Sequence, residues 1–261
     1  MELTSTHEHV EDEAYVIVKA APRISKQKGV TVCCAAIDRE GSWVRLYPVS
    51  FRYLEERQKF ARWDRIKYRW RRPRAALDTR TESRRIDDKS VEILGSLPAS
   101  QRSALINRTA VTSLREEALA GRSLAMLRAE ILHFWYEKRT DAELAQELAK
   151  RANVRAQGDM FQVTETVAEE AAPFVFKYRY RDADQIREGS CQDWETEATF
   201  LKRRRELATE QEALDWMLHR FGQEWPQKGM MLAMGTHGRF NNTWLINGIV
   251  RVDPERQPLL I

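Results

Sequence analysis

The chain has 261 residues, 43% hydrophobic and 31% charged, with a formal net charge of +4, a composition able to bury a core in one large or two small domains. No stretch approaches the roughly 20 apolar residues of a membrane helix. The three cysteines (Cys33, Cys34, Cys191) are too few for a disulfide framework, and the five histidines lack metal-ligand spacing, so neither metal nor cofactor is expected.

The first 13 residues, MELTSTHEHVEDE, hold five acids and no Lys or Arg. They lack the basic start and apolar run of a secretory signal and are expected to be a disordered acidic tail on a cytoplasmic protein without membrane contacts. AYVIVKA (14–20), VTVCCAAI (30–37) and SWVRLYPV (42–49) follow as strands, rich in β-branched residues or alternating, with Asp38–Gly41 as a turn. FRYLEERQKF suggests a short helix, WDRIKYRWRR a fourth strand and SVEILGSL (90–97) a fifth. Five short strands in one segment suggest a small barrel over 14–98, of which the five-stranded oligonucleotide-binding barrel is one candidate.

From Ser100 the pattern becomes helical through SQRSALINRTA and SLREEALAGR, a connector over 99–122. Residues 129–138 read as a strand, and TDAELAQELAKRAN as a helix opened by a Thr140–Glu143 capping box. Residues 156–172 are polar and acidic and read as a loop. PFVFKYRYRD (173–182) is a strand, residues 191–225 an inserted helix pair, and GMMLAMGTHG with TWLINGIVRVD a closing hairpin turned by GRFNN. IKYRWR (66–71) and FKYRYR (176–181) are identical at four of six positions. That echo suggests a second related lobe over 123–261. The expected fold class is α+β, with two small β-barrel-like, OB-like lobes and helical insertions.

Charge is concentrated. Residues 39–85 hold fifteen Lys or Arg against six acids, the pattern of an electrostatic footprint for a polyanion. With a strand's period of two, Arg65, Lys67, Arg69 and Arg71 share one face and Ile66, Tyr68 and Trp70 the other. The basic face could meet phosphates spaced roughly 7 Å apart, twice the rise per residue, or could be a solvated strand protected by charge. Arg72 and Arg74 continue the charge, and Arg45 and Arg52 lie near it in sequence. In FKYRYR, Lys177, Arg179 and Arg181 alternate with Phe176, Tyr178 and Tyr180, whose rings are expected in the core. His237 and Arg239 in GTHGRF form a site-like loop that also reads as hairpin chemistry. Tyr47 and Trp70 are candidates for stacking on bases. Asp193 and Glu195 in CQDWE stand at a helix start, where capping explains them; with His237 they are the residues a metal-dependent nuclease or nucleotide-modifying enzyme would use.

GSWVRLYPVSFRYL, the strand with Arg71, Arg72 and Pro73, FKYRYRD followed by CQDWE, and GTHGRFNNTWLINGIV together resemble a bacterial family of dual OB-containing proteins associated with DNA-processing or phage-defence loci. The resemblance runs over most of 14–252 and implies a nucleic-acid-associated role without a catalytic signature. The expected function is therefore a non-catalytic nucleic-acid-binding subunit of such a complex, acting on DNA or RNA beside other proteins. The alternatives are the metal-dependent enzyme and an assembly subunit whose basic face docks an acidic partner protein.

Overall fold

The structure is a computed structural model that describes residues 9–20, 23–25, 29–50, 54–74, 78–156, 170–237 and 243–253, with backbone alone over 23–25, 29–30 and 150–156. Its N-terminal part contains β1 (Val10–Lys19), the short β2 (Arg23–Ser25), β3 (Gly29–Asp38), β4 (Trp43–Val49), β5 (Asp64–Arg71) and β6 (Ser83–Ser96). The strands pair in the order β1-β5-β6-β4-β3-β2, and β1 also pairs with β3. That extra pairing closes a five-stranded barrel. Numbered by their own sequence, its strands run 1-2-3-5-4 around the ring, with the 3–5 contact, β4 against β6, parallel. This is the Greek-key arrangement of the oligonucleotide-binding (OB) barrel. The interior is apolar: Val16, Cys34, Ala36, Val44, Leu46, Ile66 and Tyr68 are buried together, the inward half of each alternating strand.

A connector with α1 (Ala99–Arg108), β7 (Ala110–Val111) and α2 (Leu114–Leu119) leads to β8 (Leu124–Leu127) and β9 (Glu130–Lys138). There follow α3 (Asp141–Ala156), β10 (Phe174–Arg181), β11 (Ile186–Ser190), α4 (Trp194–Glu206), α5 (Glu210–His219), a π turn (Arg220–Glu224), α6 (Trp225–Lys228), β12 (Met230–Thr236) and β13 (Trp244–Arg251). Side-chain caps fix the helix starts: Ser113 accepts from Glu116 N at 3.0 Å, Thr209 from Glu212 N at 3.2 Å, and Thr140 and Glu143 cap each other reciprocally.

The second lobe has two sheets, β11-β10-β9 and β13-β12-β8-β7. Only Arg128 and Ala129 separate β8 from β9, and a parallel bridge from Cys191 to Ile246 joins the end of β11 to β13. The two sheets thus wrap one core, containing Leu127, Phe134, Phe176, Tyr178, Leu232 and Ile246, in the same strand order as the first barrel. The helix pair α4–α5 occupies the 3–4 connection, where the described residues of the first barrel form a 3-10 turn, Glu56–Gln58.

Three expectations change. The acidic segment does not end as a tail at Glu13: residues 1–8 lie outside the described residues, and Val10–Glu13 are strand, because Glu11 and Glu13 find cations on β5. The fifth strand begins at Ser83, not at Ser90, since polar SRRIDDK still places Ile86 inward. The strand β11 was not expected, its sequence IREGS being short, polar and glycine-containing.

The lobes pack face to face. Ile17, Val18, Ala35 and Ile37 on the outside of the first barrel are buried against Leu124, Met126, Met231, Ala233 and Val250 of the second. Contact is so close at Gly248 that an added Cβ would stand 2.7 Å from Val18 Cγ1, which explains glycine there. Three arginines of the first lobe cross the boundary. Arg45 Nη2 donates to Ser123 O at 2.9 Å, Arg62 Nη1 to Ile249 O at 2.7 Å and Arg80 Nη1 to Thr236 O at 3.1 Å. Arginine suits this task because its fork of donors can satisfy several buried acceptors at once.

Candidate nucleic-acid interface

In an OB barrel the outer face of strands 2 and 3, flanked by the 1–2 and 4–5 loops, is the usual oligonucleotide surface. In the first lobe that face belongs to β3 and β4, and much of it is the lobe boundary. Arg45, expected on a phosphate-binding surface, is only 3% exposed and donates to Ser123 O and Oγ. Its direction out of the barrel follows the strand period, but outside this barrel is inside the molecule. Tyr47, two residues on, is 38% exposed. Arg52 lies outside the described residues.

The basic face of β5 is present, and its first three cations are neutralised. Arg65 Nε is 2.9 Å from Glu13 Oε2, Lys67 Nζ 2.8 Å from Glu11 Oε1 and Arg69 Nη2 3.0 Å from Asp87 Oδ2. Glu13 also pairs with Arg39. These carboxylates come from β1 and β6, hydrogen-bonded neighbours of β5, and therefore form part of the barrel wall. Trp70 points inward with Ile66 and Tyr68, its ring packed on the core and covered by the Arg84 guanidinium at 4.0 Å, so it is not a free stacking platform.

Beyond Arg69 the matching stops. Arg71 lies directly across from Arg85 in the β5–β6 ladder, and Arg72 and Arg74 follow as exposed residues entering the 4–5 hairpin. Among the described residues none of Arg71, Arg72, Arg74 and Arg85 makes an ion pair. Like charges opposite each other in a ladder are destabilising, and an anion bound there would relieve the repulsion. The far stem of the hairpin is anchored: Arg80 Nη2 pairs with Asp78 Oδ2 at 2.7 Å while its Nη1 reaches Thr236 O. Burial pushes the Asp78 carboxyl up, yet hydrogen bonds from Arg80 and Ser83 hold it below the usual aspartate value.

In the second lobe the 2–3 face is turned away from the boundary. Phe176, Tyr178 and Tyr180 are buried, and Lys177, Arg179 and Arg181 stand outside. Each meets a glutamate: Glu137 at 2.6 Å, Glu188 at 2.7 Å and Glu130 at 2.6 Å. Beside them on β9 the rings of His133 and Trp135 stack at 5.4 Å, 12° from parallel. The sequence reading missed both, although alternation through HFWYE assigns them to the outer face with Glu137. His237 follows β12, its N–H donating to Thr243 O at 3.0 Å, and Arg239 lies outside the described residues.

Asp193 is a buried structural group. It caps α4, accepting from Glu195 N at 3.2 Å, and its carboxylate also meets Ile249 N and Arg62 Nη2, each at 3.3 Å. Burial raises its pKa, against the pull of Arg62. Glu195 pairs with the same guanidinium, Nε to Oε2, at 3.1 Å. Among the described residues, which include Asp193, Glu195 and His237, no three or more His, Cys, Asp or Glu side chains are grouped to hold a metal ion. Among the same residues no helix is long and apolar enough to cross a membrane.

Fold and site define a two-lobed α+β protein with an OB-type barrel, whose 4–5 hairpin carries arginines without ion-pair partners among the described residues, and a second lobe of matching strand order whose outer cations are paired with glutamates. The chain belongs to the family described as Domain of unknown function (DUF8757), whose model matches residues 107–259; the model described as Domain of unknown function (DUF8758) matches residues 10–111. No curated protein matches the sequence. Among solved structures the chain is similar to one described as "Structure and Conformational Change of a Replication Protein A Heterotrimer Bound to ssDNA", at 11% identity and a TM-score of 0.26. The overlap covers 95% of this chain and 66% of that one. At that score the overlap does not bear on architecture, which rests on strand order alone.

Proposed function

We propose that the protein binds single-stranded nucleic acid without cleaving it, holding the phosphate backbone at the 4–5 hairpin of its first lobe. The observation that carries this is the cluster Arg71, Arg72, Arg74 and Arg85. These cations lack carboxylate partners among the described residues, although Arg65, Lys67 and Arg69 on the same strand are all matched. Charge left unmatched at a loop that OB barrels use for oligonucleotides favours a polyanion. The face of β10, with Lys177, Arg179 and Arg181 beside the His133–Trp135 stack, offers a second contact where bases can lie against rings.

In this reading the domains are 14–98 and 123–261, joined by 99–122, with β1 extending the first back to Val10. The protein acts as a subunit of a bacterial DNA-processing or defence assembly, with protein partners still to be defined. Fluorescence anisotropy with labelled single- and double-stranded DNA and RNA across salt tests it. Binding that weakens steeply with salt and favours single strands is expected. Absence of binding at about 50 mM salt, where electrostatic contacts are strongest, refutes it, and cleavage in Mg²⁺ or Mn²⁺ would restore the enzyme alternative.

A further inference from the structure

A pocket of about 350 Å³ opens between α2, the β10–β11 turn and the start of β13, near the lower end of the range for ligand sites. One wall is apolar, made by Leu114 and Ala118 of α2 together with Trp244 at the start of β13; the polar groups are Arg115, Asp184, Gln185 and Arg187, with the Asp184 carboxylate turned to Ser113 Oγ. The turn between β10 and β11 that supplies Gln185 and Arg187 is built around Asp182, whose side chain is fully buried. Asp182 accepts from Asp184 N at 3.0 Å, Gln185 N at 2.8 Å and Arg187 Nε at 2.7 Å. Ser113 Oγ donates to Asp184 Oδ2 at 2.6 Å and Ala183 N to Thr112 O at 2.8 Å, so α2 is tied to that turn. The pocket is therefore shaped before any ligand arrives. Arg115 is exposed and, among the described residues, makes no ion pair.

Its position matters as much as its lining. Trp244 pairs with Thr236 across the second lobe's terminal hairpin, and Thr236 O accepts from Arg80 of the first lobe's arginine hairpin. Arg80, on the far stem of the first lobe's arginine hairpin, is thus bound to the end of β12, directly across the ladder from the pocket residue Trp244.

We propose that this pocket is a nucleotide subsite. It takes one unpaired base against Trp244 and the α2 wall, with the adjoining phosphate held by Arg115, while Arg187 is engaged by Asp182 and Gln185 and shapes the floor. This rests on the single-strand-binding function and adds to it a defined position where a base leaves the stack. Hydrogen bonding to Gln185 gives the subsite some preference among bases, whereas the arginine hairpin has none.

The test uses the full chain and a fluorescein-labelled 15-nucleotide oligothymidylate, alone and with a single 5-iodouracil for photocrosslinking. Crosslinking to Trp244 is expected. Arg115→Ala should weaken binding about 5-fold, and Trp244→Ala by about 5- to 150-fold, the span of base–aromatic stacking. Trp244→Phe keeps a ring against the core and should retain most of the affinity, which separates a stacking role from loss of folding. If the oligonucleotide binds and depends on Arg72 and Arg74 but is indifferent to Arg115→Ala and crosslinks elsewhere, the subsite is refuted while the binding function stands. If wild-type protein fails to bind at about 50 mM salt, both fall.

Discussion

The arginine hairpin can be tested through salt dependence, because the structure supplies the count of unmatched charges. Arg71, Arg72, Arg74 and Arg85 lack ion-pair partners among the described residues. If each neutralises one phosphate of a single strand, the slope of log K against log salt is about −0.7 per contact, or about −2.8 for all four. Between 50 and 200 mM salt that slope weakens binding about 50-fold. Arg72→Ala with Arg74→Ala should reduce it to about −1.4, so the same salt change costs only about 7-fold. The control is Glu11→Gln with Lys67→Gln, which removes a matched pair, 2.8 Å apart, and leaves net charge unchanged; its slope should stay within about 0.3 of wild type. Anisotropy titrations of a labelled 15-mer at four salt concentrations measure all three proteins. Equal slopes for wild type and the arginine variant would refute the reasoning. An equal loss in the control would move the contact to the β5 face.

The Arg71–Arg85 opposition predicts opposite effects on stability and binding. Arg85→Gln should raise the melting temperature of the free protein by up to about 2 °C, since relief of a like-charge cross-strand pair is worth about 0.2–1 kcal/mol, while lowering oligonucleotide affinity. Arg62→Met leaves Asp193 buried without its guanidinium and should cost about 3–5 kcal/mol at pH 7, about 5–9 °C for 261 residues. Burial already raises the Asp193 pKa, so the folded state holds that proton more tightly and stability falls as pH rises through the raised value. Removing Arg62 extends the window upward, and the deficit of the variant in thermal melts should shrink from pH 7 toward pH 4; a deficit constant with pH contradicts this. Gly248→Ala places a methyl 2.7 Å from the Val18 methyls and should cost about 1–3 kcal/mol in a denaturant melt, with no loss if the lobe boundary yields freely.

Much of the architecture is written in local alternation. IKYRWR and FKYRYR each specify an inward aromatic row and an outward basic row, and Tyr68, Phe176, Tyr178 and Tyr180 are buried accordingly. Alternation fixes the side of a sheet a residue occupies and leaves open what covers that side. Arg45 shows the gap: it leaves the first barrel as its strand position requires, and meets Ser123 of the second lobe, 78 positions away in sequence. The neutralisation of Arg65 and Lys67 was equally illegible, because Glu13 and Glu11 reach them through strand pairing across some fifty residues. The pocket residues Arg115, Arg187 and Trp244 come from three separated segments, none with a motif. What could have been read is Arg85, had SRRIDDK been recognised as strand.

Packing one barrel against the outer face of another's strands has a definite consequence for where a ligand can go. The first lobe gives its 2–3 face largely to the boundary, burying Ala35 and Ile37 with Met126 and Val250, and what it leaves exposed is the hairpin between its last two strands. The second lobe contributes β8, β12 and β13 to the boundary and keeps its own 2–3 face, β10 and β11, outward. Arg80 fixes the relation between these remaining surfaces: it is bound to Asp78 in its own hairpin and to Thr236 at the end of β12, next to Trp244 in the ladder. Through that one guanidinium the arginine hairpin of the first lobe is tied to the strand end that carries the partner of Trp244.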